Sequence, residues 1–280
     1  MSKDGVLYIV ATPIGNLDDL SVRALALLKQ VDMIAAEDTR HSKRLLTHFG
    51  IDTRLTAYHD YSGERQVQHL LDLLMQGQNI ALISDAGTPL ISDPGYRLVR
   101  RVREAGLNVV PVPGPSAPLA ALCASGLPTD SFAFVGFSPA KSAARKQFFS
   151  LHAASEHTLV CFESPHRIVA SIDDAIEVLG AKRQAVLARE LTKTFETFIG
   201  FSLGDIQQAL ADDANQSRGE MVLMIAPEPK PESSQLDAEA ERLLGLLVNE
   251  LPTKKAAALV SEFSGVSKKL LYQRALELKA

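Results

Sequence analysis

Ser84-Asp85-Ala86-Gly87-Thr88-Pro89-Leu90-Ile91-Ser92-Asp93-Pro94-Gly95 follows an apolar run at 80–83 and precedes a helical stretch at 96–105. The apolar run reads as a buried strand. A strand that breaks into Gly- and Pro-bearing turns before the next helix joins two elements poorly but offers main chain to a ligand. Glycine lets another molecule approach the backbone, and proline holds the loop open. The stretch predicts a small-molecule pocket at the carboxyl end of a strand, where open α/β sheets place their ligands.

Working outward, the first 116 residues alternate strand and helix. Strands are expected at 7–11, 32–36, 55–58, 80–83 and 108–112. Between them lie amphipathic stretches, one beginning near Asp18 or Asp19 as caps, one at 40–49 closed by Gly50, and one at 64–75 closed by Gly77. Short apolar strands alternating with such helices mean a mostly parallel sheet covered on both faces. A second unit starts near Pro128, with strands at 132–137, 158–162, 185–188 and 221–226 and helices at 143–151, 167–179 and 206–210. Phe195, Ile199 and Phe201 add period-two apolar positions of a half-exposed strand. Consecutive strands here are not all joined by helices, so the second sheet is expected to be mixed. The Pro-rich, charged run 227–234 reads as a linker. Three helical stretches follow, 236–251, 254–263 with Thr253 as cap, and 268–278 with Ser267 as cap; the last two make a helix-turn-helix pattern. The expected organisation is therefore α/β, with domains at 1–116 and 117–227 and a helical domain at 228–280.

At 280 residues and 46% hydrophobic the chain can bury a large core. The two cysteines, Cys123 and Cys161, sit in no CxxC or Cys/His cluster and read as small core residues, so no metal site is expected. Two reduced thiols, no signal-peptide pattern and no stretch of membrane-spanning length point to a cytoplasmic protein without a membrane partner. A net charge of −4 leaves any nucleic-acid contact to local patches. Three helical groups supply candidates: Arg40, Lys43 and Arg44; Arg97, Arg100 and Arg101; Lys141, Arg145 and Lys146. From 252 to 280 six Lys/Arg stand against two Glu, a local balance of +4.

The turn at 12–16 has one glycine where a dinucleotide fingerprint needs three, and neither a P-loop nor a GxSxG elbow occurs. The ligand-facing signals lie instead in three strand-end loops, 12–16, 84–95 and 113–117, which would open on one edge of a parallel sheet. Ser84 to Pro89 with Ser92-Asp93-Pro94-Gly95, followed by Val112-Pro113-Gly114-Pro115-Ser116-Ala117, resembles the tetrapyrrole-methylase superfamily. Further runs are similar to the branch of that superfamily that methylates the 2′-oxygen of a cytidine in 16S ribosomal RNA. They are Ala11-Thr12-Pro13-Ile14-Gly15-Asn16-Leu17, Ala36-Glu37-Asp38-Thr39-Arg40, Phe162-Glu163-Ser164-Pro165-His166-Arg167, Ala188-Arg189-Glu190-Leu191-Thr192-Lys193 and Arg218-Gly219-Glu220-Met221-Val222.

The resemblance implies S-adenosylmethionine bound in a cleft between the two α/β domains. By motif it would touch Pro13, Asp85, Gly87, Leu90, Ser116 and Ala117 from the first domain and Phe162 and Leu191 from the second. The resemblance also implies the small ribosomal subunit as partner and a homodimer. A ribose hydroxyl is a poor nucleophile at neutral pH, so a base or acceptor should stand beside it. Glu37, Asp38, Glu163, Glu190, His59 and His166 are candidates. The expectation is that Glu37, Glu163 or Glu190 orients the hydroxyl, with Arg40, Lys43, Arg167 or Arg189 on the adjacent phosphate. Two other functions fit the residues: methylation of a tetrapyrrole or other small molecule, and RNA binding without catalysis.

Overall fold

The computed structural model describes residues 4–59, 62–228, 236 and 238–279. Two compact units result, Met1–Pro227 and Glu228–Ala280. Most of the expected linker, 229–234, lies outside the described residues.

The first unit opens with β1 (Val6–Val10), α1 (Val22–Gln30), β2 (Met33–Ala36), α2 (Thr39–His48), β3 (Leu55–Ala57), α3 (Glu64–Met75), β4 (Ile80–Ile83), α4 (Tyr96–Glu104), β5 (Asn108–Val112) and α5 (Ala117–Ala124). The five strands pair in the order β3-β2-β4-β1-β5, all parallel. Every residue of β2 and β4 is buried, as a sheet covered on both faces requires. Alternate residues feed two cores. Leu7, Met33, Ala35 and Leu82 pack with Leu70, Leu74 and Leu98 from α3 and α4. Val10, Ile34, Ala81 and Ile83 pack with Ala24, Leu28 and Leu46 from α1 and α2. Because all strands run the same way, the loops after β1, β2, β4 and β5 leave one edge.

The same unit continues with β6 (Phe132–Phe137), α6 (Ser142–His152), β7 (Thr158–Glu163), α7 (Ile168–Leu179), β8 (Ala185–Arg189), β9 (Thr197–Ile199), α8 (Leu203–Asp212) and β10 (Met221–Ile225). The order is β6-β7-β10-β8-β9, with β6 and β7 parallel and the other pairs antiparallel, so this sheet is mixed as expected. Its outer face packs Leu159, Cys161, Leu187 and Leu223 against Phe149, Ile172 and Ile206 of α6, α7 and α8. Its inner face, Val160, Val186, Val222 and Met224, is covered by Ala121 and Leu122 of α5, by Leu127 and by Ile14 from the loop after β1.

The second unit folds α9 (Ala238–Glu250), α10 (Thr253–Ser264) and α11 (Lys268–Lys279) around Leu244, Val248, Val260, Val266 and Leu271. Gly265, in the left-handed region, caps α10 and turns the chain into α11.

Several local expectations are corrected. Ser21, not Asp18 or Asp19, caps α1: its Oγ accepts from Ala24 N at 3.1 Å, while the aspartates lie in a 3-10 turn one step earlier. Thr253 is the first helical residue after Pro252, not the cap. Only residues 197–199 of the expected half-exposed strand pair; Phe195 and Phe201 sit in flanking turns, 70% and 74% exposed. Cys161 is buried but Cys123 faces solvent on α5, its thiol donating to Ala120 O. The third basic group is not a surface stripe. Arg145 is buried, its Nε donating to Asp174 Oδ2 of α7 at 2.8 Å and its Nη1 to Pro139 O and Ala140 O at 3.2 Å. Lys146 pairs with Glu177 at 2.6 Å.

Removing one partner of a buried pair leaves the other charge uncompensated. Arg145→Ala is therefore expected to destabilise the first unit by about 3 kcal/mol, read as a lower urea midpoint and tempered by Lys146 Nζ at 3.7 Å from Asp174 Oδ1, whereas Lys146→Ala should leave the midpoint close to that of wild type.

Candidate active site

The strand-end loops are tied to one another through main chain. Thr12 and Gly87 form an isolated antiparallel bridge, Thr12 N to Gly87 O at 2.9 Å and Gly87 N to Thr12 O at 3.0 Å. Thr12 Oγ1 donates to Ser84 O at 3.3 Å, and Thr88 Oγ1 to Pro115 O at 2.9 Å. The Gly87 amide is taken by Thr12 O, so toward a ligand Gly87 offers a bare wall and, at most, the second lone pair of its carbonyl. Gly114 is likewise a packing residue, since a Cβ there would stand 3.0 Å from the Ala11 side chain.

Between these loops and the inner face of the second sheet lies a cavity of about 520 Å³, mostly apolar, in the size range of small-molecule sites. Of the residues expected at the cofactor, Gly87, Ser116, Ala117, Phe162 and Leu191 line it. Pro13, Asp85 and Leu90 do not. Asp85 Oδ1 accepts from Asp38 N at 3.1 Å, joining the loops after β4 and β2. Leu90 packs into the core near Leu82 and Gly95. Of the expected catalytic carboxylates, Glu163 and Glu190 line the cavity and Glu37, half-buried after β2, does not. Ile14, Lys193, Glu220 and Met221, which stand in the quoted motifs without an assigned role, and Phe137, which stands outside them, also line the cavity. Lys193 stands three residues after Glu190 inside a quoted motif, and that spacing was the available signal.

Two loops beside the cavity hold every non-glycine residue with positive φ among those described: Leu90 and Ser92 in one, Glu190 and Thr192 in the other. Backbone of this kind persists only where its surroundings over-determine it. Those surroundings are visible at Gly15. A Cβ there would stand 2.9 Å from Leu191 O and from Thr192 Oγ1, so the loop after β1 rests directly on the 190–193 turn.

Four carboxylates line the cavity, Asp93, Glu163, Glu190 and Glu220, and the two expected as catalytic, Glu163 and Glu190, have unlike surroundings. Glu163 has a fully buried side chain and four donors. Oε2 takes Ser171 Oγ at 2.6 Å and the Ser138 hydroxyl; Oε1 takes Ser164 N at 2.8 Å and Arg167 Nε at 2.7 Å. Arg167 also donates from Nη2 to Ser138 O at 3.0 Å. With its acceptor sites filled, Glu163 fixes Arg167 and the chain after β6.

Glu190 uses Oε1 for Lys193 Nζ at 2.8 Å and Glu220 N at 2.9 Å; Lys193 also reaches Glu220 Oε2 at 2.9 Å. Burial alone would raise the Glu190 pKa. The Lys193 and Glu220 hydrogen bonds, with the Lys193 and Arg189 charges, outweigh it and hold the group below the ordinary carboxylate range. Burial likewise pulls Lys193 down, and its bonds to Glu190 and Glu220 win, raising it. The trio carries one net negative charge on the cavity wall.

The expected phosphate-gripping residues are dispersed. Arg40 and Lys43 are exposed on α2, and Arg167 is mostly buried beside Glu163. Arg189 is corrected: it is 8% exposed, with Nη1 donating to Arg218 O at 3.3 Å and Nη2 to Thr197 Oγ1 at 3.4 Å, so it braces β8 against its neighbours and does not face a phosphate.

These residues fit S-adenosylmethionine on volume, on apolar lining and on a net negative rim for a sulfonium. Comparison with known proteins agrees. Residues 6–207 match the family of Tetrapyrrole (Corrin/Porphyrin) Methylases, and residues 234–279 match the RsmI C-terminal HTH domain. The chain belongs to the tetrapyrrole methylase family. Among its relatives are proteins named ribosomal RNA small subunit methyltransferase I. That of Pasteurella multocida is 52% identical over 98% of this chain and 97% of its own length. Those of Escherichia coli O157:H7 and Vibrio cholerae are 53% and 54% identical over 99% and 97% of this chain, and 96% and 94% of theirs. Crystal structures share the fold at low identity. A diphthine synthase has a TM-score of 0.61 at 14% identity, over 79% of this chain and 90% of its own. A uroporphyrin-III-C-methyltransferase from Thermus thermophilus has 0.55 at 19%, over 79% and 94%.

A carboxylate with a depressed folded pKa stabilises above its unfolded pKa and loses that contribution as pH falls through the folded value; a lysine with a raised pKa loses its contribution as pH rises through the folded value. The stability difference between wild type and Glu190→Gln is thus expected to be flat from about pH 5.5 to about pH 9.5 and to shrink on both sides. Urea titrations across that range check it; a difference that grows below about pH 4 contradicts the assignment.

Proposed function

We propose that this protein methylates the 2′-oxygen of a cytidine ribose in 16S ribosomal RNA, acting on the small ribosomal subunit. Membership of the family makes the chain a methyltransferase with S-adenosylmethionine as donor. The RNA reading rests above all on the near-full-length similarity, C-terminal unit included, to proteins named ribosomal RNA small subunit methyltransferase I.

Gly87, Ser116, Ala117, Phe162 and Leu191 would hold the donor, which supplies an electrophilic methyl on a sulfonium. Pro13, Asp85 and Leu90 would act from behind, by fixing the loops. The protein then has to aim one hydroxyl oxygen in line at near-attack distance, which accounts for most of what such an enzyme contributes. Glu190 suits that task. It stays ionised at neutral pH, lines the cavity, and could accept the ribose hydroxyl proton at Oε2, later releasing it to solvent, while the ribose oxygen would take the methyl group as the donor's S–CH₃ bond breaks and the neutral thioether leaves. Glu163 is then a positioning residue that sets Arg167. Arg40 and Lys43, exposed on α2, together with Arg167, would meet phosphates.

Domains at 1–116, 117–227 and 228–280, a homodimer and a cytoplasmic location belong to the same reading. Two free cysteines, one buried and one exposed, are in keeping with a reducing compartment, and no helix among the described residues is long and apolar enough to cross a membrane.

Incubation with methyl-labelled donor and undermethylated 30S subunits, free 16S RNA or uroporphyrinogen III tests it. Label should enter 30S subunits and appear, after alkaline hydrolysis, in a resistant dinucleotide, because a 2′-O-methyl blocks cleavage. Label confined to the small acceptor, or RNA binding without label, overturns the reading. Glu190→Gln should slow single-turnover transfer by about 10²-fold or more. Removing the residues after Ala226 should raise KM for 30S about tenfold with donor affinity unchanged.

A further inference from the structure

Strand β6 runs beside β7 in regular parallel register through Phe132/Thr158, Ala133/Leu159 and Phe134/Val160. Continued, that register would set Gly136 beside Phe162 and Phe137 beside Glu163. The pairing shifts instead, and Phe137 stands beside Phe162. One extra residue has entered β6, and Gly136, with φ +72°, takes the left-handed backbone there. Side chains alternate along a strand, so a one-residue slip moves the next side chain to the other face. In regular register Phe137 would follow Val135 into the core against α6 and α7. The bulge turns it to the face of Phe134 and Phe162, where it lines the cavity.

We propose that the Phe137 ring is the stacking platform for the nucleobase of the methyl acceptor, an inference that rests on the RNA reading above. The ring is 58% exposed at the cavity mouth. It is backed by Phe162 at a centroid distance of 5.2 Å, and Phe162 in turn by Phe134 at 5.0 Å. The chain immediately after it is pinned: Arg167 Nη2 holds Ser138 O, and Arg145 Nη1 holds Pro139 O and Ala140 O. Leu191, deep in the same cavity and 8% exposed, is a wall for the donor. A rigid aromatic face more than half open to solvent suits a base that arrives from outside on its own strand, unstacked from its neighbours. Stacking reads a flat π-face and not a base identity, so this contact favours RNA over a non-planar small acceptor while leaving the choice of cytidine to other groups.

The test uses the full-length protein with undermethylated 30S subunits and compares Phe137→Ala, Phe137→Leu and Phe137→Trp, with Phe132→Ala as control. The Ala and Leu variants should lose about 5- to 150-fold in kcat/KM for 30S, mostly in KM, with donor affinity by calorimetry within about twofold of wild type. Phe137→Trp should stay within about threefold, and Phe132→Ala should match wild type. Phe137→Leu keeps bulk without a π-face, so full activity in that variant overturns the inference, as does a Trp variant as poor as Leu. Donor affinity falling by the same factor as kcat/KM also overturns it, because the ring then serves the donor. Wild-type protein that labels no 30S subunit overturns the underlying RNA reading instead, and is seen before any variant is compared.

Discussion

The site depends on two hydrogen bonds between Thr12 and Gly87. They join the ends of adjacent parallel strands, β1 and β4, beyond the point where the sheet itself stops pairing. With Thr88 fastened to Pro115, the loops after β1, β4 and β5 become one surface. Loops normally carry function because they are free to vary on a rigid scaffold. Here the main chain removes much of that freedom, and Ile14, Gly87, Ser116 and Ala117 are presented together as a wall. The opposite wall gains its definition from Gly15 pressing on the 190–193 turn.

Electrostatics divide the labour among carboxylates that look alike on paper. Glu163 is buried and saturated by two hydroxyls, an amide and an arginine, so its charge is committed to structure. Glu190 gives one oxygen to Lys193 and Glu220 N and keeps its charge at the cavity. Burial sets a cost on both ions, and the number and geometry of donors decide which remains available.

Strands were legible because parallel, doubly covered strands are written as short apolar runs, and β1, β2, β4 and β5 fall within a residue of where the sequence puts them. The helix α5 was not. Ala117-Pro118-Leu119-Ala120-Ala121-Leu122-Cys123-Ala124 is apolar on every side and carries no stripe to reveal its period. Burial of Arg145 and Arg189 was equally hidden, because a basic residue reads as surface until its partner is known, and Asp174 lies 29 residues from Arg145. Glu163 and Glu190 stood out as strand-end carboxylates, but their difference is made by Ser138, Ser171 and Glu220, which no local pattern connects to them. Phe137 was invisible as a cavity residue because one inserted position decides which way it faces.

The inner face of the second sheet is covered by α5, by Leu127 and by Ile14 from the loop after β1. Every strand of the first sheet, by contrast, lies within residues 6–112. A nascent chain emerging from its amino end can complete the first sheet unaided, and domains fold in that order during synthesis. The later strands would then meet α5 and Leu127, made just before them, with Ile14 of the completed first half, as a template on which to lay their apolar side. Excised from that template, the segment from β6 to β10 would expose Val160, Val186, Val222 and Met224 to water, a self-associating surface. Order of translation is thus also order of dependence.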